Sequence, residues 1–357
     1  MKKFSKLQQE IIENESDIIF VEAAAASGKT AIIVEKIKKE LAANKGKVVA
    51  FTFTNAAAEE MYERVGQVDE SKLFIGTIHG YCTRLLLSYG LDQAIDYCEN
   101  ERFNELFQLV KQYPDCIKPI YCLVCDEMQD CNKSQFEFIF EMIETQKYFC
   151  CYDRRQSIYR WNGAHPEYIT DYIDKIGATV LNLNENYRNA DSILNFAKSM
   201  IMTNGYEYRD TSIPMRGISG KLVTDLEYNP HAIARTFAQM GGEDYGKWFV
   251  LTRTNEQLDE IANYFQKNKI PYDTFKRAQL DNKELNKKMK ENTVKLLTIH
   301  TAKGLEADNV IVIGAKFYNV EERCVSYVAA TRARNRLIWT KSPNKRKPTY
   351  GLSNWEN

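Results

Sequence analysis

The sequence predicts an α/β protein of two lobes, each a parallel sheet covered by helices. Three observations carry that reading. Strand-length apolar runs alternate with helix-length patterns, a Gly-Lys-Thr turn joins a strand to a helix, and an acidic pair follows a later strand. In the first half the strand runs are 18–21, 48–53, 73–78, 120–125 and 148–152, with helical patterns at 31–41, 56–65 and 134–143 between them. Such alternation builds a parallel sheet buried on both faces. The rhythm resumes at 180–183, 221–224, 248–252, 294–299, 310–313 and 337–340. At 357 residues the chain is long enough for two domains with separate cores. The expected division is 1–185 and 186–342, with a helical insertion at 87–118, a Lys/Asn/Glu-rich insertion at 276–292 and a basic tail at 343–357. No internal repeat is read beyond the alternation itself.

Composition narrows the class of partner. No run approaches the roughly 18 apolar residues of a membrane span, so a membrane partner is not expected. Charge returns at Lys6, Glu10 and Glu13 after Met1-Lys2-Lys3-Phe4, which leaves no signal-peptide core and implies a cytoplasmic location. Nine irregularly spaced cysteines read as reduced thiols. The one CxxC, Cys122 to Cys125, lies in a strand, where residues three apart face opposite ways and cannot share a metal. A formal net charge of zero argues against holding nucleic acid by bulk charge, so any such partner is met by local grooves and stacking rings.

Ser27-Gly28-Lys29-Thr30, preceded by Ala23 to Ala26, follows a strand and opens a helix, the context a phosphate-binding loop requires. Gly28 lets backbone approach phosphate, Lys29 reaches the β and γ phosphates, and Thr30 offers a hydroxyl to Mg²⁺. The helix start adds unpaired N–H groups. Gly-Lys-Thr alone is also common in ordinary strand–helix turns. The second signal is Asp126-Glu127 at the end of an apolar strand: one acid to hold Mg²⁺, the other to position or deprotonate water. Together they indicate a nucleotide hydrolase.

Further boxes resemble UvrD/Rep-like superfamily 1 helicases, in that family's order. Asp126 to Asp130 resembles the DExQD box, and Phe4 to Gln8 the adenine-reading Q motif. Thr52-Phe53-Thr54-Asn55 and Thr77-Ile78-His79-Gly80 resemble motifs Ia and Ib. Asp153 to Ala164 resembles motif III, Asn186-Tyr187-Arg188-Asn189 motif IV, Thr298 to Glu306 motif V, and Tyr327 to Ala333 motif VI. The resemblance implies two RecA-like P-loop lobes with ATP and Mg²⁺ in the cleft between them. It implies that Arg188 and Arg332 sense the γ-phosphate, a task suited to a guanidinium fork, and that Gln156 reports phosphate state to the DNA groove. Gln8, Ala26 and Tyr187 are then nucleotide contacts, Tyr187 stacking on adenine, with Glu306 beside the ribose or phosphates. Phe53, Tyr159 and Trp161 match positions whose rings stack on bases. Thr54, Thr77, His79 and Thr298 would meet the sugar–phosphate backbone, and Asn55 and His300 complete the expected DNA-contacting set. The family also implies 3′-to-5′ travel on single-stranded DNA.

The sequence departs from that pattern in places. Ala26 stands where glycine is usual, Tyr152 where glycine precedes motif III, Asn162 where arginine is common, and Ala56 where lysine is common. Residues 87–118 and 276–292 are too short for the family's inserted subdomains, and no nuclease motif follows motif VI. Two functions stay open: an ATP-dependent DNA translocase or helicase in repair, recombination, replication or phage defence, and an ATP-gated single-strand-binding subunit whose protein partner, such as a nuclease, does the chemistry. A small-molecule kinase has no use for motifs Ia, Ib, III and V.

Overall fold

Six strands form the first sheet: β1 (Ile18–Ala23), β2 (Val48–Phe51), β3 (Leu73–Gly76), β4 (Ile120–Cys125), β5 (Thr145–Tyr152) and β6 (Thr179–Leu183). This architecture comes from a computed structural model that describes residues 4–202, 210–239, 244–276, 287–314 and 319–341. The strand order is β3-β2-β4-β5-β1-β6, and every neighbouring pair is parallel. Period-two alternation sorts the side chains onto two cores. Ile19, Val21, Val48, Ala50, Cys122, Val124, Phe149 and Cys151 share one. Phe20, Val49, Phe51, Leu123, Cys125, Cys150 and Tyr152 share the other. Cys122 and Cys125 therefore face opposite ways.

The helices α1 (Lys6–Glu13) and α2 (Lys29–Ala43) contribute Ile11, Ile32 and Ile37 to the first core. Into the second go residues of α4 (Ile78–Leu87), α5 (Gln93–Glu99) and α6 (Phe103–Gln112), which come after α3 (Asn55–Val65) in the chain. The segment 87–118 is thus helical, as its sequence predicts. Two strands stop earlier than their apolar runs for the same reason. Thr54 and Thr77 cap α3 and α4, accepting from the N–H groups of Ala57 and Gly80 at 3.2 and 3.1 Å, which ends β2 and β3 before them. The helix expected over 134–143 runs only as α7 (Lys133–Glu137) and then widens into a π turn over Phe138–Met142. α8 (Glu167–Ile176) leads into β6.

Beyond β6, a two-residue ladder pairs β7 (Glu185–Asn186) with β8 (Ile213–Pro214), and α9 (Asp191–Ile201) lies between them in sequence. The second sheet contains β9 (Lys221–Glu227), β10 (Trp248–Thr252), β11 (Tyr272–Phe275), β12 (Val294–Thr298), β13 (Ala307–Val312) and β14 (Ala333–Lys341). Its order is β11-β12-β10-β13-β14-β9, again all parallel. α10 (Pro230–Gln239) and α11 (Asn255–Lys267) cover one face through Phe237, Leu258 and Phe265. On the other face lie α9 and α12 (Val320–Thr331), in a core that also takes Ala25, Ile158, Tyr159 and Ala164 from the first half. The halves therefore share apolar packing. Of the 276–292 insertion, residues 277–286 lie outside the described residues, as does the tail 343–357. Among the described residues no helix is long and apolar enough to cross a membrane.

Phe265 is fully buried, with its ring 5.2 Å from that of Phe237. Phe265→Ala is expected to lower stability by about 3–5 kcal/mol through lost burial and the cavity left behind, read as a shift in the denaturant midpoint.

Candidate nucleotide site and nucleic-acid groove

Strands of a parallel sheet end at one edge, so the segments after β1, β4 and β5 gather there. After β1 the backbone enters the left-handed region twice, at Ala26 (φ 59°) and Gly28 (φ 86°). Glycine adopts this freely; alanine does so at a cost of roughly 1–2 kcal/mol. A Cβ on Gly28 would lie 2.7 Å from Gln8 Nε2, because Gln8 packs against the loop. Its Nε2 donates to Ser27 O at 2.9 Å, and its Oε1 accepts from the Ser5 N–H at 3.1 Å. Gly28 caps α2, whose first N–H groups have no partner inside the helix. Ser27 Oγ is buried without a hydrogen-bond partner. An orphaned hydroxyl, a helix start and a cradle that a Cβ would fill suit a phosphate group.

Lys29 Nζ lies 2.5 Å from Glu127 Oε1 and 3.6 Å from Asp126 Oδ1. Burial opposes the ammonium's charge, but Glu127 and then Asp126 outweigh it and raise the lysine pKa. Burial likewise raises the Asp126 carboxyl above its usual range, whereas at Glu127 burial is overcome by Lys29 and Lys303 and the pKa falls. The surroundings thus favour the charged form of Glu127, while burial works against that of Asp126. Glu127 sits at φ 55°, and Asp126 Oδ1 accepts its N–H at 2.9 Å. Both carboxylates thus stay against the Lys29 ammonium. Glu127 lines the nucleotide-sized cavity, and Asp126 opens onto the adjoining groove.

The stretch that joins the two sheets is stitched by two buried amides. Asn186 Nδ2 donates to Ala25 O and to Asn189 Oδ1, both at 2.9 Å. Asn189 Nδ2 donates to Thr331 O at 3.1 Å and Ala333 O at 2.6 Å. The phosphate loop is thereby tied to the end of α12, with Tyr187 and Arg188 held between. Tyr187 is half-exposed and donates its hydroxyl to Glu185 at 2.9 Å. Arg188 is paired with Glu306 and reaches Thr331 O at 3.4 Å.

Arg332 differs from Arg188. It is 2% exposed and donates to Val328 O (2.9 Å), Leu305 O (3.1 Å), Thr331 Oγ1 (3.1 Å) and Gln156 Oε1 (3.3 Å), none of them a carboxylate. Burial, followed by repulsion from Arg188, pushes its pKa down to about 9. A buried cation with only neutral acceptors is stabilised by an arriving anion. Gln8, Ala26, Ser27, Gly28, Lys29, Thr30, Glu127, Gln156, Tyr187, Arg188, Glu306 and Arg332 all line one cavity of about 480 Å³. That is within the roughly 300–1,000 Å³ of ordinary ligand sites. Lys303, to which the sequence reading assigned no role, joins them. It bonds Asp130 and donates to Gln156 O at 2.8 Å.

Phe53, Thr54, Asn55, Thr77 and His79 line a second cavity, of about 370 Å³, together with Asp126 and Phe103. The hydroxyls of Thr54 and Thr77 accept helix N–H groups as caps, which leaves each O–H as a donor. His79 lies flat on Phe103, the centroids 3.7 Å apart and the planes at 7°, and burial lowers its pKa to about 4. Of the three expected stacking rings, Trp161 is 61% exposed and Phe53 half-buried, but Tyr159 is 5% exposed. Tyr159 stacks on Phe53 at 4.8 Å beneath the Lys303 ammonium at 5.2 Å, so its ring is not open to a base. Thr298 Oγ1 lies 2.9 Å from Thr301 Oγ1. His300 Nε2 is 3.1 Å from Ile158 O, which requires the Nε2–H tautomer. A repeat also emerges. Thr52-Phe53-Thr54-Asn55 recurs as Thr252-Arg253-Thr254-Asn255, and in each the first threonine donates to the second threonine's carbonyl at 3.0 Å while the second caps the helix. Its signal was the Thr-x-Thr-Asn spacing after a strand in both halves.

A phosphate loop, an acidic pair and a buried arginine from a second parallel sheet define the class: a two-sheet P-loop nucleotide hydrolase. Comparison with protein families agrees. The UvrD/REP helicase N-terminal domain matches residues 4–113 and 102–176, and the UvrD-like helicase C-terminal domain matches 181–279 and 273–344. The chain belongs to the UvrD/REP helicase family. It is similar to a probable DNA helicase of Mycoplasma pneumoniae, at 22% identity over 95% of this chain and 83% of that protein. It is also similar to a probable DNA helicase II homolog of Mycoplasma capricolum (25%, covering 70% and 49%) and to the ATP-dependent DNA helicase PcrA of Staphylococcus aureus (23%, covering 74% and 50%). The chain therefore spans about half the length of the latter two.

Ala26→Gly removes the left-handed alanine's cost of roughly 1–2 kcal/mol and adds chain entropy worth about 0.5–1 kcal/mol. The expected melting temperature is equal to or above that of the parent, and a clear fall would show that the Ala26 methyl group packs favourably.

Proposed function

We propose that this chain is an ATP-driven motor on single-stranded DNA, travelling 3′ to 5′. The observation that carries this reading is Arg332, a buried cation without a carboxylate partner, brought by the second half to the cavity of the first half's phosphate loop. Lys29 and the start of α2 take the phosphates. When Lys29 turns to them, Glu127 loses the charge that holds it ionised, and its proton affinity rises, which suits a base for the attacking water. Thr30 and Asp126 are the residues that would hold Mg²⁺, which supplies charge neutralisation on the phosphates. Arg332 then meets the charge that develops on the transferring phosphoryl group, and Arg188 joins it once released from Glu306.

In the groove, Trp161 and Phe53 are the rings that take bases. Thr54 and Thr77 accept helix N–H groups as caps and still have an O–H to donate, so the starts of α3 and α4 meet phosphate oxygens through these hydroxyls and the open backbone N–H groups. Thr254 and Asn255 offer the same arrangement from the second half. ATP turnover with and without single-stranded DNA tests the proposal. Strong stimulation supports a motor. Tight nucleotide-dependent DNA binding without turnover supports the other reading, an ATP-gated binding subunit, which the left-handed Ala26 favours.

Arg332→Ala is expected to cut turnover by orders of magnitude while ATP affinity changes little, because its contact strengthens in the transition state. Equal losses in both would make it a ground-state contact. Trp161→Ala is expected to weaken single-strand binding by about 1–3 kcal/mol whatever the base sequence. Unchanged affinity in a fluorescence-anisotropy titration would remove it from the groove.

A further inference from the structure

The turn after β5 carries a buried ion cluster that the roles above leave unused. Arg155 is 3% exposed, although it comes directly after Arg154 in a turn where a solvated pair of arginines would be ordinary. Its Nε donates to Asp153 Oδ1 at 2.6 Å and its Nη1 to Asp210 Oδ1 at 3.1 Å. Asp153 is fully buried and Asp210 is 4% exposed. Asp210 belongs to the second half, leads into β8, and is itself fixed by the Ser212 N–H at 2.8 Å. The fully buried Tyr327 of α12 lies beside the cluster.

We propose that Arg155 is a positioning residue for nucleotide hydrolysis: bridged to Asp210, it holds Asp153 so that Gln156 presents its carbonyl end to Arg332. This rests on the reading of the chain as an ATP hydrolase. Asp153 accepts from Arg155 with one oxygen and from Gln156 Nε2, at 2.8 Å, with the other. A carboxylate can only accept, so the amino end of Gln156 must face Asp153 and its oxygen must face away. That oxygen is the one Arg332 reaches at 3.3 Å. With the amide reversed, two N–H donors would confront Arg332. The planar fork of Arg155 spends separate nitrogens on the two carboxylates, which locks its rotation in a way a lysine point charge does not. The chain of contacts therefore starts in the second half at Asp210, crosses the first half through Arg155, Asp153 and Gln156, and returns to the second half at Arg332. Gln156 is correctly aimed only while Asp210 is seated. A buried ion cluster is a weak source of stability compared with apolar packing, and such clusters are best understood where they specify one arrangement.

The test measures kcat and KM for ATP with saturating single-stranded DNA in the full chain. It is paired with nucleotide affinity by fluorescence titration and with a thermal melt. Asp210→Asn is expected to lower kcat on the order of tenfold to a hundredfold, as small misplacements of catalytic groups do, with KM and nucleotide affinity within about twofold on the same ground. Combining it with Gln156→Ala is expected to add no further loss, because both act through one amide. Arg155→Lys keeps the charge but not the fork, and is expected to match Asp210→Asn, which covers the case where the latter fails to fold. Wild-type kcat in folded Asp210→Asn or Arg155→Lys overturns the inference, as do losses that multiply in the double variant. A parent protein without turnover would overturn the hydrolase reading as well, whereas a turning-over parent beside an unaffected variant overturns this inference alone.

Discussion

Strand β5 lies between the strand that ends in the phosphate loop and the strand that ends in the acid pair. Neighbouring strands sit about 4.8 Å apart, so the segment leaving β5 emerges between phosphate and acids, within reach of both. That segment is the run 153–161. Gln156 turns toward the nucleotide cavity, Ile158 and Tyr159 enter the core shared with the second half, and Trp161 reaches the surface. One strand position thus links the phosphate site, the groove and the second sheet.

The contacts joining the halves combine apolar packing with polar groups. Ala25, Ile158, Tyr159 and Ala164 supply area, and Asn186, Asn189, Lys303, Arg332 and Arg155 supply direction. Area stabilises many relative placements about equally, whereas a buried amide or guanidinium left without partners costs roughly 1–3 kcal/mol or more. The polar set therefore restricts the halves to arrangements in which these groups are satisfied together. That suits the proposed motor, in which the two sheets would move between defined positions and not slide freely.

The local chemistry was open to reading from residues alone. Ser27 to Thr30 and Asp126-Glu127 each come after a strand, and the covalent chain fixes their place at the sheet's edge. The features that stayed hidden depend on side chains arriving from elsewhere. Tyr159 has the composition of a stacking platform, but Phe53 and Lys303 cover it, and nothing within its own motif says so. Glu306 and Arg188 are separate motif residues in sequence and partners in space. Asp126 and Glu127 suggest acids for metal and water, yet both lie against Lys29 Nζ, at 3.6 and 2.5 Å. The π turn after α7 breaks a helix that its apolar spacing supported. Lys303 follows the same rule, because its partner Asp130 lies 173 residues away in the chain.

The pairing of β1 bears on how the chain comes to life on the ribosome. That strand has two partners, β5 and β6, and its first residue, Ile18, sits opposite Tyr148, 130 residues later. At translation rates of about 5–20 residues per second, Ile18 to Ala23 waits roughly 6–26 seconds before a neighbour exists. During that time an apolar strand is exposed with both edges open. β2, β3 and β4 can pair among themselves meanwhile, because their neighbours lie closer in the chain. The phosphate loop follows β1 directly, yet the strands that flank β1 are made only 130 or more residues after it. A nascent chain stalled before β5 would therefore carry the Gly-Lys-Thr signature without a folded pocket, and would offer a β-prone segment to chaperones or to a neighbouring nascent chain.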